Sequence, residues 1–586
     1  MGVPGFFAWL LKNYKKSGII IPKILQDVDN LYIDANCLFH PQCNKVLSYY
    51  GNKLSVDKLE NKMIKRILNY LDYLITYVNP KKKVFVAVDG VAPMAKMNQQ
   101  RKRRYKSVYD NKIKDDVKNK YGKEIITIWN NSSNITPGTK FMEKLHLQLI
   151  NYFNENRLNL NIKYTYSSYH TVGEGEHKIL QDIKNEVQND DVYVVYGLDA
   201  DLIFLSLACG RNNMYLLREE TFLKNINTQD KEEILDIIKD VSENLNYVSI
   251  DETKNCINYQ IEILIKKKIE SENISINNIN FINDFIIICY FIGNDFIPNL
   301  PSIEIKNDGL DFLLENYVTT VLKLQSGITY IDKMNNVIIN NIFFENYVKS
   351  LAKFEEYYFK VKFPNFMESI QKRQCQSDDN FDKEIWNIDN MRVFQIIDPI
   401  KLGYGRPDLW KFRYYEYYYG SLIHQKNHIA NMCNDYLKGI MWTLEYYFKK
   451  CSSYNWQYKY YNGPFISDLS QYLKESKLDI NSLKFSESKL ITPFIQLLSV
   501  LPPSYSNLLP KEYGILMCED NSQLIDMYPS NIKIDILYKD SFHKCNPLIP
   551  NIDLDRVINA VKNIKLTNEE KQRNLVIENL NFDYAT

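Results

Sequence analysis

The sequence predicts an α/β fold with a mostly parallel sheet flanked by helices, followed by a second, mainly helical block rich in aromatic residues. In the first half of the chain, short apolar segments that indicate buried strands alternate with longer segments of helical spacing. This alternation is typical of parallel sheets. In the second half, aromatic residues recur within segments of helical spacing, and they make up 13% of the whole chain.

The predicted elements of the first half can be given in order. Strands are predicted at residues 31–34 (LYID), 83–89 (KVFVAVD) and 192–196 (VYVVY). Helices are predicted at 54–77, 93–120, 139–154 and 174–188. In sheets of this kind, functional groups gather beyond the carboxyl ends of the strands.

The predicted domain organisation has three parts. A first domain covers residues 1–350, and a second block covers 407–586. Between them, the chain from 351 to 406 turns charged and irregular, and its sequence SDDNFDK at 377–383 indicates an exposed linker.

Composition places the chain among globular proteins. Lys and Arg number 72 against 71 Asp and Glu, a formal net charge of +1 that excludes a uniformly basic coat for nucleic acid. The 10 Cys form no CxxC pair, which favours a reducing compartment. No apolar run approaches the ~20 residues of a membrane span, and the N-terminus does not read as a signal peptide. We therefore expect a soluble, intracellular protein that contacts no membrane.

Acidic residues recur where predicted strands end and predicted helices begin. The set consists of Asp34, Asp89, Glu174, Glu176, Asp199, Asp201 and Asp295. Carboxylates crowded into one cleft repel one another, and divalent cations relieve that repulsion. Two such ions ~3.5–4 Å apart can activate a water and stabilise the leaving oxygen of a phosphodiester. The pattern indicates metal-assisted phosphodiester hydrolysis; the alternative, strongest for Glu174 and Glu176, is simple capping of helix N-termini.

A basic face lies on the helix predicted just after Asp89. It consists of Lys96, Gln100, Arg103 and Arg104. Their spacing puts them on one side of the helix over ~12 Å. Because Arg can fork onto two phosphate oxygens, this face indicates a pocket for a terminal phosphate. The alternative is a solvated basic helix or a nuclear import signal.

Together these segments closely resemble the Xrn family of 5′→3′ exoribonucleases. In the first domain, the resemblance rests on MGVPGFFAWL, LYIDANCLFHP, KMNQQRKRR, GEGEHKI, GLDADL and FIGNDFIPNLP, in this order. In the second block, it rests on CNDYLKGIMWTLEYYFKKCSSYNWQYKYYNGPFISDL. The similarity covers most of residues 1–350 and about 407–575.

The resemblance implies a processive 5′→3′ exoribonuclease that hydrolyses single-stranded, 5′-monophosphorylated RNA to nucleoside 5′-monophosphates in RNA and mRNA decay. It implies a nuclease core like that of PIN and flap nucleases, and a second block that packs on it and completes the substrate channel. The acidic set matches the family's catalytic ligands for two Mg²⁺ ions, for which Mn²⁺ can substitute. The basic face matches its 5′-monophosphate pocket.

The resemblance also implies a stacking site for the first base of the RNA. His40 matches the family's stacking histidine, and Asn36, which lies beside it, is expected to bind substrate as well. The partner ring is a Trp of the second block, for which we choose Trp456 and keep Trp442 as the alternative. Tyr454 stands where the family pattern has Trp. Stacking tolerates every base, so we expect degradation that is independent of sequence.

Two other functions stay open, a structure-specific flap endonuclease and a catalytically inactive RNA-binding protein of the same fold. The basic face and the aromatic block argue against the first, and the full acidic set argues against the second. We expect a monomer in the cytoplasm with decapping factors as partners, while a nuclear location stays open. The bias toward Asn, Ile, Lys and Tyr suggests a protist or a large DNA virus as the source. A viral protein would act in the viral factory or the virion.

Overall fold

The computed structural model describes the chain except for residues 1, 2, 4, 15, 16, 23, 156–161, 187–189, 221–235, 269–278, 425, 426, 490 and 583–586. The strands of the described residues are β1 (Ile20–Ile21), β2 (Asn30–Asp34), β3 (Lys83–Ala87), β4 (Lys163–Ser167), β5 (Tyr193–Tyr196), β6 (Met214–Glu219), β7 (Leu245–Ser249), β8 (Thr329–Ile331), β9 (Val337–Ile339), β10 (Lys533–Asp535), β11 (Asn546–Leu548) and β12 (Leu580–Phe582). An eight-stranded central sheet has the order β1-β7-β6-β5-β2-β3-β4-β12, and β8–β9 and β10–β11 form separate pairs.

The middle of the central sheet is parallel. Strands β6, β5, β2, β3 and β4 run in one direction. Strands β7 and β12 run in the opposite direction, and β1 pairs antiparallel with β7 at one edge. In this register Ile33 of β2 lies opposite Val86 of β3 and Tyr196 of β5. Every residue of β2, β3 and β5 is buried, as expected of parallel strands covered on both faces. The predicted mostly parallel α/β sheet is confirmed.

Helices cover both faces of the sheet and build the second block. The first ones are α1 (Phe6–Tyr14), α2 (Ala35–Tyr50), α3 (Val56–Val78), α4 (Met94–Lys120), α5 (Asn131–Asn134), α6 (Lys140–Glu155), α7 (Gly175–Asn185), α8 (Asp201–Cys209), α9 (Ile250–Lys268) and α10 (Phe281–Tyr290). They continue with α11 (Gly309–Leu324), α12 (Asn341–Ala352), α13 (Glu355–Tyr357), α14 (Phe363–Gln371), α15 (Asn380–Asp389), α16 (Pro407–Tyr419), α17 (His428–Phe448), α18 (Ile466–Ser476), α19 (Pro493–Val500), α20 (Lys511–Cys518), α21 (Leu554–Val561) and α22 (Asn568–Arg573). A π-helical turn at Tyr358–Lys362 joins α13 to α14. Short 3-10 turns lie at Ile305–Asn307, Ser421–His424, Ile480–Ser482, Pro503–Leu508, Ile525–Met527 and Phe542–Lys544.

The two faces of the sheet bury different helices because side chains alternate along each strand. Leu31 and Ile33 of β2 pack into the core formed with α2, α3 and α6. Tyr32, between them, packs into the opposite core, formed with α7, α8, α10 and α17. Helix α17 thus brings the predicted second block directly onto the sheet domain.

The segment 351–406 is more ordered than the sequence predicted. It contains α13, α14 and α15, and Ile388 of α15 is buried against Val117 of α4 and Phe542. These helices differ from the predicted irregular structure, because the high charge content obscured the helical spacing of a few apolar residues. Residues 378–380 are exposed, and the role of the segment as a linker stays a prediction. The bounds of the domains on either side stay a prediction.

Strand β12 forms one edge of the central sheet. β12 pairs antiparallel with β4, with Leu580 opposite Tyr166. Just before it, the Ile577 backbone N–H donates to the His170 carbonyl at 3.1 Å. Strand β4 is therefore paired on both sides, and the short β12 is the edge strand at this end of the sheet. The sequence analysis did not predict this strand.

None of the helices in the described ranges is long and apolar enough to cross a membrane.

Asp284 ties α10 to the β8–β9 pair from a fully buried position. Its carboxylate accepts from the backbone N–H groups of Ile328 and Thr329 at 2.9 and 2.8 Å, and from the Tyr317 hydroxyl at 2.6 Å. A Cβ on Gly327 would lie 2.5 Å from Asp284 Oδ2, so only glycine allows this approach. A buried carboxylate with several donors is expensive to remove, since each donor is then left unsatisfied.

We expect Asp284→Ala to destabilise the protein by more than about 3 kcal/mol, because at least three buried donors lose their acceptor together. The measurement is the thermal unfolding midpoint. Glu315→Ala, which removes an exposed carboxylate from α11, is the matched control and should leave the midpoint near the wild-type value. Equal midpoints for the two variants would contradict this prediction.

Candidate active site

The acidic side chains that the sequence singled out lie at the carboxyl edge of the sheet or pack against it. They are Asp34 at the end of β2, Asp89 just after β3, Asp199 after β5, Asp201 at the start of α8, Glu174 and Glu176 at the start of α7, and Asp295 in the loop after α10. Since β2, β3 and β5 are parallel neighbours, their carboxyl ends meet at one edge. The topology of the sheet is what brings these distant segments together.

The start of α7 fits tightly between the ends of two strands. The Gly175 backbone N–H donates to Asp89 Oδ1 at 2.7 Å. A Cβ on Gly175 would lie 3.0 Å from the Ala87 carbonyl oxygen and 3.1 Å from Asp34 Oδ1. Asn36 Oδ1 accepts from the Asp89 backbone N–H at 3.1 Å, so Asn36 supports the loop that carries Asp89. Asp34, Asp89 and the α7 terminus therefore form one compact wall of the site.

Lys96 lies among the carboxylates. Its ammonium is 2.6 Å from Glu174 Oε2 and 2.8 Å from Asp295 Oδ2. Burial opposes its charge, but Asp295 and Glu174 together raise the pKa of Lys96 well above its usual value. We predicted Lys96 as part of the phosphate-binding face; the structure shows that its contacts in this state are with the acidic cluster.

Two neighbouring tyrosines of α17 reach the same cluster from the second block. The Tyr446 hydroxyl donates to Glu174 Oε1 at 2.7 Å, and the Tyr447 hydroxyl donates to Asp201 Oδ1 at 3.1 Å. Neither tyrosine was predicted from the sequence as part of the site. The signal that could have found them is the pair of tyrosines within the apolar helix sequence MWTLEYYF, because a buried hydroxyl needs a polar partner.

Several carboxylates of the site have pKa values above their usual range. Burial, reinforced by Asp89, raises the pKa of Asp34 to about 7. Burial, reinforced by Asp295, raises the pKa of Asp201 to about 7. Burial also raises the pKa of Glu176 well above its usual value, and Glu176 Oε2 is buried without a hydrogen-bond partner. These shifts show that burial and neighbouring carboxylates disfavour the ionised form of these side chains.

The donor set fits divalent cations, although its present geometry is not a closed metal site. Within the part of the chain that the structure describes, no group of three or more His, Cys, Asp or Glu side chains is arranged to hold an ion. Carboxylate oxygens are nevertheless the ligands that Mg²⁺ prefers. The unpartnered Glu176 Oε2 and the shared charge excess are what such an ion would satisfy.

The basic face of α4 is divided between buried and exposed positions. Gln100 and Arg104 are buried, and Arg104 donates to Thr136 Oγ1 at 2.8 Å, while Arg103 is exposed. Burial, reinforced by the charge of Arg103, lowers the pKa of Arg104 to about 9. Burial and both arginines lower the pKa of His40 to about 4, so His40 is near them and neutral at neutral pH. Two close guanidinium groups of like charge favour an anion between them.

A cavity of about 480 Å³ opens beside Arg103. Asp295 lies on its wall near the acidic cluster, and Tyr458 and Tyr461 line it from the second block. Lys102 Nζ is 5.8 Å from the centre of the Tyr461 ring, and burial lowers the pKa of Lys102 to about 8. Cations interleaved with aromatic rings are typical of a path for single-stranded nucleic acid.

The tryptophans that we considered for base stacking lie in different surroundings. Trp442 is fully buried and stacks on Tyr446 at 4.9 Å, which excludes it as a platform for a base. Trp456 is half-buried and stacks on Trp442 at 5.6 Å; its stacking role stays a prediction. Tyr454 is tied to the start of α4, where the Met94 N–H donates to its carbonyl at 2.8 Å. The Tyr454 hydroxyl oxygen would lie 3.6 Å from a Cβ on Gly173, the residue before Glu174, so this ring is also close to the site.

Comparisons with known proteins agree with this geometry. The family model described as "XRN 5'-3' exonuclease N-terminus" matches residues 1–220, and the one described as "Xrn1 helical domain" matches 275–395 and 387–582. The first match contains every acidic residue of the cluster except Asp295, and the second contains Asp295 and both tyrosines of α17.

Curated proteins with similar sequences are named as 5'-3' exoribonucleases. The chain is 31% identical to human 5'-3' exoribonuclease 1 over 98% of its own length and 35% of the relative's. It is 27% identical to the Saccharomyces cerevisiae 5'-3' exoribonuclease 1, covering 100% of this chain and 45% of the relative. For the Debaryomyces hansenii 5'-3' exoribonuclease 2, the identity is 26% over 100% of this chain and 73% of the relative.

The chain thus spans about a third of the human relative and under half of the S. cerevisiae one. The two matching models nevertheless cover its sheet domain and its helical block in the same order. With the acidic cluster at the sheet edge and the basic helix beside it, these matches show that the chain belongs to the Xrn family of 5′-3′ exonucleases.

Proposed function

We propose that this chain is a processive 5′→3′ exoribonuclease that hydrolyses single-stranded, 5′-monophosphorylated RNA to nucleoside 5′-monophosphates. The observation that carries the proposal is the placement of an arginine pair and a neutral His40 close to a cluster of undercompensated carboxylates. An end-binding pocket next to a hydrolytic centre is what removal of one nucleotide at a time requires. The names of the relatives support the direction of degradation.

We further propose two Mg²⁺ ions as cofactors, with Mn²⁺ able to replace them. The residues that would hold them are Asp34, Asp89, Glu174, Glu176, Asp199, Asp201 and Asp295. When bound, such ions supply Lewis acidity and an activated water for phosphodiester hydrolysis. Lys96 holds Glu174 and Asp295 in place and balances part of their charge.

The chain's own residues orient the end of the RNA. Arg103 and Arg104 bind the 5′-phosphate, and the neutral His40 ring stacks on the first base, with Trp456 as its proposed partner. A 5′-hydroxyl end would leave the guanidinium charges without an anion, and it should be bound more weakly. Because stacking uses the flat faces that all bases share, sequence has little influence on the rate.

The proposal extends to the setting of the reaction. We propose that the protein acts as a monomer in the cytoplasm in RNA decay, after decapping factors have produced the 5′-monophosphate. A nuclear site of action is the alternative location. The flap-endonuclease alternative lacks a specific observation in its favour, and the described aromatic cavity favours a single strand over a branch.

We expect 5′-monophosphorylated RNA to be shortened from its 5′ end when Mg²⁺ is present, and to stay intact with EDTA. The measurement is a time course on RNAs that are identical except for a 5′-monophosphate, a 5′-hydroxyl or a 5′-triphosphate. Restoration by Mg²⁺ after EDTA is the control for irreversible loss of protein. Cleavage inside the strand at equal rates for all three RNAs would reject an end-directed mechanism.

We expect Arg103→Ala to reduce the preference for a 5′-monophosphate over a 5′-hydroxyl by about 10-fold or more, the scale of one charge-assisted contact at about 1.5–3 kcal/mol. The measurement is the ratio of kcat/KM on the two RNAs. Lys112→Ala, at an exposed position further along α4, is the matched control. An unchanged ratio in Arg103→Ala would contradict the phosphate pocket.

Asp201→Ala should lower kcat by about 10²–10³-fold, the scale of losing one key electrostatic contact with the transition state. The variant removes a buried carboxylate whose surroundings already hold excess negative charge, so the fold should tolerate the change. Single-turnover degradation of 5′-monophosphorylated RNA is the measurement, with Glu315→Ala as control. Near-normal turnover would remove Asp201 from the hydrolytic centre.

A further inference from the structure

Tyr446 and Tyr447 bind two carboxylates that are carried by two different helices. The Tyr446 hydroxyl lies 2.7 Å from Glu174 Oε1, just before α7, and the Tyr447 hydroxyl lies 3.1 Å from Asp201 Oδ1, in the first turn of α8. Successive residues of a helix point about 100° apart at 3.6 residues per turn. Adjacent positions on α17 can therefore reach two separate walls of the same cleft.

The position of the Tyr446 hydroxyl is fixed by the rings around it. Its ring lies parallel to His177 at 4.1 Å and 14°, and to Trp442 at 4.9 Å and 14°. His177 Nε2 also lies 3.2 Å from the Tyr446 carbonyl oxygen. A ring held by two stacked neighbours has little freedom to turn, so its hydroxyl defines one place for the Glu174 carboxylate.

Tyr447 is held in a similar way on the other side of the helix. It is fully buried, and its ring lies 5.7 Å from Tyr290 and 6.5 Å from Phe296. Phe296 directly follows Asp295 of the acidic cluster. The same aromatic packing that builds the interface between the sheet domain and α17 thus sets the positions of both hydroxyls.

Each tyrosine occupies one oxygen of its carboxylate. Glu174 Oε1 accepts from Tyr446, while Glu174 Oε2 faces Lys96 at 2.6 Å. A carboxylate that is fixed through one oxygen can present the other in a constant direction. Hydrogen bonds from outside the ligand set typically orient metal-binding side chains and strengthen cation binding.

We infer that Tyr446 and Tyr447 are positioning residues that orient Glu174 and Asp201 for binding a divalent cation, so that the helical block completes the hydrolytic centre of the sheet domain. The inference rests on the proposed function, and it adds a contribution that comes from outside the acidic set. Neither tyrosine needs to touch RNA for this role.

We expect Tyr446→Phe and Tyr447→Phe each to weaken Mn²⁺ binding by roughly 10–100-fold, the usual effect of losing such an orienting hydrogen bond. The measurement is calorimetric titration of the intact chain with Mn²⁺ in the absence of RNA. Phenylalanine keeps the stacked ring, so the unfolding midpoint should stay close to that of the wild type. KM for RNA should change less than kcat.

Tyr415→Phe is the matched control. Its hydroxyl also donates to a carboxylate, Asp468 Oδ2 at 2.6 Å, within the helical block. This variant loses a buried tyrosine–carboxylate bond as the others do, but it should bind Mn²⁺ with wild-type affinity. In a Glu174→Gln background, adding Tyr446→Phe should have little further effect on Mn²⁺ affinity, because the bond acts through that carboxylate.

Wild-type Mn²⁺ affinity in both variants would overturn the inference while leaving the proposed function intact, provided that the wild-type chain binds Mn²⁺ and shortens RNA. Loss of folding in both variants would also overturn it, since the hydroxyls would then be structural. A wild-type chain that neither binds Mn²⁺ nor shortens RNA would overturn the proposed function, and the inference with it.

Discussion

Repulsion among buried carboxylates is the constraint on which the rest of this structure depends. Parallel strands end at one edge of a sheet, so the residues that follow β2, β3 and β5 lie close together. The topology brings them together even though they carry the same charge. The fold compensates with the Lys96 ammonium and with hydroxyl donors from α17. The compensation is incomplete, as the raised pKa values of Asp34 and Asp201 show. The proposed binding of hard cations would relieve that imbalance.

The sheet domain and the helical block are separate in sequence but share the site. Helix α4 starts at the acidic cluster, and the arginine pair lies about two turns further along it. Helix α17 packs on the same cluster from the other block. The cavity beside Arg103 is likewise lined from both parts. Burial of aromatic rings between the parts therefore also fixes the distances among the groups of the candidate site.

The sequence predicted those features that local pattern determines. Apolar runs predicted both ends of β2, β3 and β5 to within two residues. Helical spacing predicted the ends of α3 and α4 with the same accuracy. Strands β4 and β12 were missed, because KYTYS has no continuous apolar run and β12 exists only through pairing across the chain. For the site, the sheet topology was enough to predict that the acidic residues converge. The contacts of Lys96 and of the α17 tyrosines could not be predicted in this way, because they depend on how the two parts pack.

The pairing of β12 with β4 has a consequence for biosynthesis. The contact between His170 and Leu575 spans 405 residues, so the outer side of β4 has no partner until almost all of the chain described here has left the ribosome. Contacts that are so distant in sequence form late and slow folding. In that interval the nascent protein presents an open sheet edge, the kind of surface that chaperones shield and that promotes misassembly between chains. The last strand of this nuclease-family sheet is thus added late in folding.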